Sequence, residues 1–126
     1  MRRKVNVNPQ YIGGGLADLK QELMADPDFQ LGWNIHELVI AFGHVISEIR
    51  KGARLTQANL ADRLGVDQSF IARLEAGRPD RMPTISTLIR VAKACGHELE
   101  VAFPPAKTAS AEQAKTFVVS TRDYTK

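Results

Sequence analysis

Three side chains with the chemistry to read the edge of a nucleic-acid base lie close together near the middle of the chain: Gln68, Ser69 and Arg73. A glutamine amide can pair bidentately with adenine, and an arginine guanidinium can do the same with guanine. If the segment is a helix turning about 100° per residue, Ile71 and Leu74 mark its buried side and Ser69 and Arg73 point outward. The alternative for each polar residue is an ordinary solvated position.

Two further features of this segment favour close contact with a large partner. Ala72 and Ala76 are small and lie on the same outward side, which would let the helix backbone approach closely. Phe70 lies on the flank, where its ring could touch a thymine methyl group or the sugar–phosphate wall. Phe70 is equally consistent with a solvated surface residue.

The surrounding residues carry the boundary signals of two short helices joined by a tight turn. Thr56 is a good N-cap, because its hydroxyl can accept a hydrogen bond from an otherwise unpaired backbone N–H. Gly65 tolerates the left-handed conformation that ends a helix, Asp67 can cap the next helix, and Gly77 can end it. A helix, a break of about three residues and another helix form a helix-turn-helix, whose second helix commonly enters the DNA major groove.

The sequence of this unit resembles the repressor/Cro family of helix-turn-helix regulators, also called the XRE family. The similar text is LTQANLADRLGV and QSFIARLEAG, followed by PTISTLIRVAKACG, within residues 38–96. The resemblance implies that Gln68, Ser69 and Arg73 read bases. It also implies a set of phosphate contacts, made by Gln57, Arg78 and Arg81. Phe70 is a further candidate for contact with the sugar–phosphate backbone.

The same resemblance matches Arg50 and Glu75 to a structural ion pair. An arginine–carboxylate pair that is half buried can fix how two helices meet, even where its net contribution to stability is small. Glu75 is therefore expected to have a structural role rather than to contact a ligand.

Helical periodicity extends on both sides of the unit and predicts an all-α fold of about five helices. Residues 16–25 place leucines three and four residues apart, which predicts a short amphipathic helix that either covers the core or binds a partner. Asp26-Pro27 should end this helix, and Asn34 should cap the long first helix of the domain. Thr84 is expected to cap a further helix after the loop.

Residues 97–103 change to a period of two, in which Leu99, Val101 and Phe103 form the apolar side of a half-buried strand. A lone strand in a helical domain needs a partner. We expect the partner to be the same strand of a second copy, giving a symmetric homodimer with two recognition helices about one DNA turn apart on a palindrome. The alternative is pairing within the chain to Thr116–Thr121.

The chain is expected to consist of three parts. Residues 1–33 would form an N-terminal arm with one short helix, residues 34–103 the helix-turn-helix domain with its strand, and residues 104–126 a polar tail. The basic residues at positions 2–4 could touch phosphates or belong to an untethered terminus.

Composition limits the function further. The net charge of +3 permits nucleic acid as a partner without requiring it. The single cysteine, Cys95, excludes an internal disulfide and is expected to be a small core residue. No apolar run reaches membrane-spanning length, so we expect a cytoplasmic protein without a membrane partner. No catalytic set is recognisable, and His36 and His44 are poorly spaced for a metal, so we expect no enzyme activity, cofactor or metal.

Two classes of function follow. The first is a sequence-specific repressor that binds double-stranded DNA at a palindromic operator. Within it, the acidic arm LADLKQELMADPDFQ and the strand GHELEVAF resemble a HigA-type antitoxin, which would neutralise a RelE/HigB-like toxin and repress its own operon; a stand-alone phage-type or metabolic repressor is the alternative. The second class is a protein-interaction module that no longer reads DNA, which the modest net charge would fit.

Overall fold

A computed structural model describes residues 15–79 and 82–124. In these ranges the chain forms five α-helices followed by a two-stranded antiparallel sheet, which confirms the predicted helical fold with a short C-terminal strand. Short 3-10 turns occupy Ala111–Gln113 and Thr121–Tyr124. The main elements are α1 (Leu16–Leu23), α2 (Pro27–Gly52), α3 (Gln57–Leu64), α4 (Gln68–Glu75), α5 (Ile85–Ala94), β1 (Glu100–Phe103) and β2 (Phe117–Ser120).

None of the helices in the described ranges combines the length and the apolar character that crossing a bilayer would require.

The long helix α2 begins a little more than two turns earlier than its expected start, so the prediction that Asn34 caps it is wrong. The N-cap is Asp26, whose carboxylate accepts a hydrogen bond of 2.9 Å from the backbone N–H of Asp28. Pro27 occupies the first turn, where its missing N–H costs nothing and its fixed φ suits the helix. The Asp26-Pro27 pair therefore both follows the end of α1 and starts α2, and Asn34 lies inside the helix.

The first turns of α2 carry a small aromatic cluster. The rings of Phe29 and Trp33 stack with their centroids 6.1 Å apart. The ammonium group of Lys20, on α1, lies 4.5 Å from the centre of the Trp33 ring, within the range of a cation–π interaction. This contact ties the short helix α1 to the end of α2 that extends beyond the core.

The core lies among α2, α3, α4 and α5, where each helix contributes its apolar stripe. Leu60, Ile71 and Leu74 are completely inaccessible to solvent, as expected from their spacing in the sequence. Cys95 belongs to the same core, and burial raises the pKa of its thiol, which agrees with a small packing residue rather than a reactive one. The buried cluster consists of Ile46, Leu60, Ala61, Leu64, Ile71, Leu74, Val91 and Cys95.

The strand β1 pairs with β2 of the same chain, so the expectation of pairing with a second copy along this edge is wrong and the alternative within the chain is confirmed. The strands run antiparallel, with Val101 opposite Val119 and Phe103 opposite Phe117. The expected half-burial of β1 is also wrong, because all four of its residues are exposed. The intervening residues 104–116 are numerous enough to reverse the chain, and thus β2 lies in the segment expected to be a polar tail.

Candidate nucleic-acid interface

The helix pair α3–α4 is held in place by local capping and by one left-handed glycine. Thr56 and Asn59 form a reciprocal capping box, in which each side-chain oxygen accepts a bond of 3.0 Å from the other residue's backbone N–H. Gly65 ends α3 with φ of 67°, a conformation that a residue with a Cβ adopts only with strain. Asp67 stands at the N-cap of α4, but its side chain makes no capping hydrogen bond.

The residues expected to read bases lie on α4, but they differ in exposure. Gln68 and Ser69 form the exposed first turn of the helix, while Arg73 is half buried one turn later. Ile71 and Leu74 face the core, as the helical periodicity predicts. The polar side of α4 therefore presents an amide and a hydroxyl at its N-terminus, with a guanidinium further along the helix.

Phe70 lies in a different environment from the one expected of a residue that contacts the sugar–phosphate backbone of DNA. It is half buried and packs against the edge of the core cluster. The apolar ring lies next to the buried side of the helix because it precedes Ile71 directly. Ala72 is also half buried, whereas Ala76 is exposed.

The expected pair between Arg50 and Glu75 forms a bidentate contact at the junction of α2 and α4. The guanidinium Nε lies 2.6 Å from Oε2 of Glu75, and Nη2 lies 2.9 Å from Oε1. A third guanidinium nitrogen donates to the carbonyl oxygen of Leu55 at 2.8 Å. Arg50 is only 8% exposed, and these three hydrogen bonds give its buried guanidinium N–H groups the acceptors that they need.

Gln57 takes part in the same cluster. Its side-chain amide donates to Oε1 of Glu75 at 3.3 Å, and the residue is half buried. Burial would raise the pKa of the Glu75 carboxyl, but the hydrogen bonds from Arg50, Gln57 and Ser47, together with the positive charge of Arg50, outweigh burial and hold the pKa below its ordinary value. The hydrogen bond to Glu75 likewise raises the pKa of Arg50. Three helices, α2, α3 and α4, are thus joined through one ionised carboxylate.

Gly43 determines how closely α2 approaches α4, and the sequence pattern did not predict this role. A Cβ at this position would overlap the backbone carbonyl oxygen of Leu74 and would lie 2.9 Å from that of Glu75. The last turn of α4 therefore rests directly on the backbone of α2. A glycine inside a strongly helical pattern is the signal that could have indicated such a contact.

Two arginines connect α3 to α5 through backbone carbonyl groups. Arg63 donates to the carbonyl oxygen of Ala94 at 3.1 Å, and Arg90 donates to that of Leu64. These carbonyls belong to the last turns of their helices, where the backbone lacks internal partners. These two bonds thereby anchor α3 of the helix pair to α5.

The loop after α4 is described only in part. Arg78 is exposed, and its backbone N–H bonds to the carbonyl of Arg73 at 2.9 Å, which continues the turn at Gly77. Arg81, the second expected phosphate contact of the loop, lies outside the described residues, as do the basic residues 2–4.

Comparison with known families identifies the same part of the chain. Residues 46–101 match the family model HTH_3, described as helix-turn-helix. The matched segment begins in α2 and includes α3, α4, α5 and the start of β1. No curated protein matches the sequence significantly. The geometry and this match lead to one conclusion: residues 46–101 form a helix-turn-helix domain that is similar to the HTH_3 family, of the kind that DNA-binding transcription regulators use.

Proposed function

We propose that the protein is a sequence-specific repressor that inserts α4 into the major groove of its operator. The observation that carries this proposal is the exposed first turn of α4, where Gln68 and Ser69 present hydrogen-bonding groups while Ile71 and Leu74 fix the opposite side in the core. Arg73 would read a guanine one turn further along.

Phosphate contacts would position the helix without reading sequence. Arg78 is exposed beside the end of α4, and Arg81 is proposed for the same loop from the sequence. The Gln57 side chain already bonds to Glu75, so its contribution would come from the backbone N–H at the start of α3, where a helix N-terminus favours an anion. Phe70 would support the position of α4 by packing and would touch the DNA backbone only with its exposed edge.

A palindromic operator requires two copies, and the exposed side of the sheet offers a surface for a homodimer. Val101 and Phe103 of β1 lie on one face with Phe117 and Val119 of β2, and the exposed fractions of the two β1 residues are 40% and 63%. Together with Ile85, Ile89 and Leu99, residues of this face line an apolar cavity of about 300 Å³. We propose that two copies meet through this face rather than through a shared strand edge.

Within this class, we propose that the chain is the antitoxin of a RelE/HigB-like toxin and represses its own operon. The support is the resemblance of the acidic arm and the C-terminal strand to HigA-type antitoxins. A ribonuclease toxin must attract phosphate and is therefore expected to carry a basic surface. The acidic residues of α1 and of the beginning of α2 would complement such a surface.

The first test is a binding titration against DNA from upstream of the gene, at two salt concentrations and with scrambled competitor. Specific binding that resists the competitor would support the repressor function, whereas binding lost with salt or competitor would indicate phosphate attraction alone. Arg73→Ala should cost about 1–3 kcal/mol on specific DNA and little on nonspecific DNA. Lys93→Ala removes one exposed positive charge from α5 and is the matched control.

Two results would redirect this proposal. Equal loss of affinity on specific and nonspecific DNA in Arg73→Ala would refute base reading by that residue. If the protein shows no specific binding at all, the protein-interaction module becomes the better explanation, and the exposed apolar face of the sheet is the observation that favours it.

A further inference from the structure

The long helix α2 has two apolar stripes: one is buried in the core, and the other is mostly exposed, although its last member, Ile49, packs against the core. Val39, Gly43, Ile46 and Arg50 are buried against the rest of the domain. A second stripe lies about a quarter turn away around the helix, because each of its last four members precedes a buried residue by one position. This second stripe, the α2 seam, consists of Leu31, Ile35, Leu38, Phe42, Val45 and Ile49.

The spacing of the α2 seam is that of a helix-pairing surface. Its members are separated alternately by four and three residues, the pattern by which a helix keeps one apolar line facing a partner helix. The seam is about 27 Å long at 1.5 Å per residue. Leu31, Leu38 and Val45 are 61%, 57% and 54% exposed, so most of the line is uncovered in the chain by itself.

The charges around the seam indicate the kind of partner. Residues 16–48, which include α1 and most of α2, contain six carboxylates and a single lysine, although the whole chain has a net charge of +3. Glu37 and Glu48 lie on the solvent-exposed side of α2 next to the seam. A second copy would bring these carboxylates towards one another, and nucleic acid would be repelled. A cationic protein would complement them.

We propose that the α2 seam is the docking site of a cationic protein partner that lays an amphipathic helix along it. The apolar side of the partner helix would cover Leu31, Leu38 and Val45, and its flanking lysines or arginines would face Glu37 and Glu48. This inference deepens the proposed function, since it gives the proposed antitoxin a surface that binds its toxin. Only the identification of the partner as a toxin rests on the proposed function. The seam lies on α2, whereas the base-reading residues proposed above lie on α4.

The test uses the full chain and two synthetic helical peptides of about four heptads. Both peptides carry leucine at the seam-facing positions; one has lysine at the flanking positions and the other has glutamate. Fluorescence anisotropy should show binding of the lysine peptide in the micromolar range and at least about tenfold weaker binding of the glutamate peptide. The double variant Leu31→Ser/Leu38→Ser should weaken the lysine peptide by about tenfold or more.

Val118→Ser is the matched control, because Val118 is a similarly exposed aliphatic residue on β2, outside both the seam and the proposed dimer face. Equal binding of the lysine peptide to the parent and the double variant would overturn the proposal, as would equal binding of the two peptides. A parent protein that sediments as a dimer and a double variant that sediments as a monomer would also overturn the proposal, because the seam would then bind a second copy of the chain. Operator binding is measured on the same proteins, so a failure of DNA binding in the parent is distinguished from a failure at the seam.

Discussion

Replacing Gly43 by alanine tests whether α4 is positioned by direct contact of its backbone with that of α2. The added Cβ would overlap the carbonyl oxygen of Leu74 and lie 2.9 Å from that of Glu75. Ordinary contacts of a Cβ begin near 3.4 Å, so relieving the overlap with the closer Leu74 oxygen requires α2 and α4 to separate by roughly 1 Å. Overpacking of this kind costs about 1–3 kcal/mol, more than the gain of up to about 1 kcal/mol from replacing glycine within a helix.

Gly32→Ala is the matched control in the same helix. None of the residues that the structure describes lies within 4 Å of a Cβ at position 32, so the substitution should give the helix-propensity gain alone. The helix-propensity gain is common to both variants, so they should differ by about 1–3 kcal/mol in the free energy of unfolding, or roughly 4–15 °C in Tm for a domain of this size. Urea unfolding followed by circular dichroism measures the difference.

The DNA-binding assay gives the second part of this prediction. Because the shifted contact is at the last turn of α4, Gly43→Ala should weaken specific DNA binding under conditions where the protein is still folded, while Gly32→Ala should leave it unchanged. A Gly43→Ala protein that is as stable as the Gly32→Ala protein and binds operator DNA normally would refute the reasoning.

Three further predictions concern the elements that hold the interface. Glu75→Gln should destabilise the fold by about 3 kcal/mol at neutral pH, since it leaves Arg50 buried without its counter-ion. Because the folded-state pKa of Glu75 lies below its ordinary value of 4.5, its stabilising contribution should be present above that pH and lost as the pH falls through the folded-state pKa. Urea titrations should show this acid loss in the parent protein but not in Glu75→Gln, and a parallel loss in both would contradict it. Gly65→Ala should cost about 1 kcal/mol, because alanine must adopt the left-handed conformation; equal melting temperatures would exclude strain at this turn. Phe103→Ser should shift the sedimentation equilibrium towards monomer without lowering stability, and an unchanged dimer would place the dimer contact elsewhere.

The sequence was most informative where a local rule determines the structure. Thr56 and Gly65 mark the ends of α3 through capping and left-handed geometry, and both act as expected. Ile71 and Leu74 are buried because their spacing puts them on one side of a short helix. The ion pair of Arg50 and Glu75 could be expected only from the family resemblance, since nothing local relates residues 25 positions apart.

Other features depended on tertiary contacts that local patterns do not contain. Asn34 with Glu37 looks like a capping box, but the helix already begins at Asp26-Pro27 and continues through Asn34. The alternation of Val101 and Phe103 predicts a strand and says nothing about whether its partner belongs to the same chain. No local pattern specifies the role of Gly43, because the atoms it makes room for are backbone carbonyl oxygens of another helix.

The contact at Gly43 has a consequence for how this domain can change in evolution. A side chain that clashes with another side chain can be accommodated by a second mutation that shortens its neighbour. The oxygens facing Gly43 belong to the peptide groups of Leu74 and Glu75, which every amino acid carries. No replacement at position 74 or 75 can remove them, so a larger residue at position 43 requires the crossing of two helices to be rebuilt rather than a single compensating mutation.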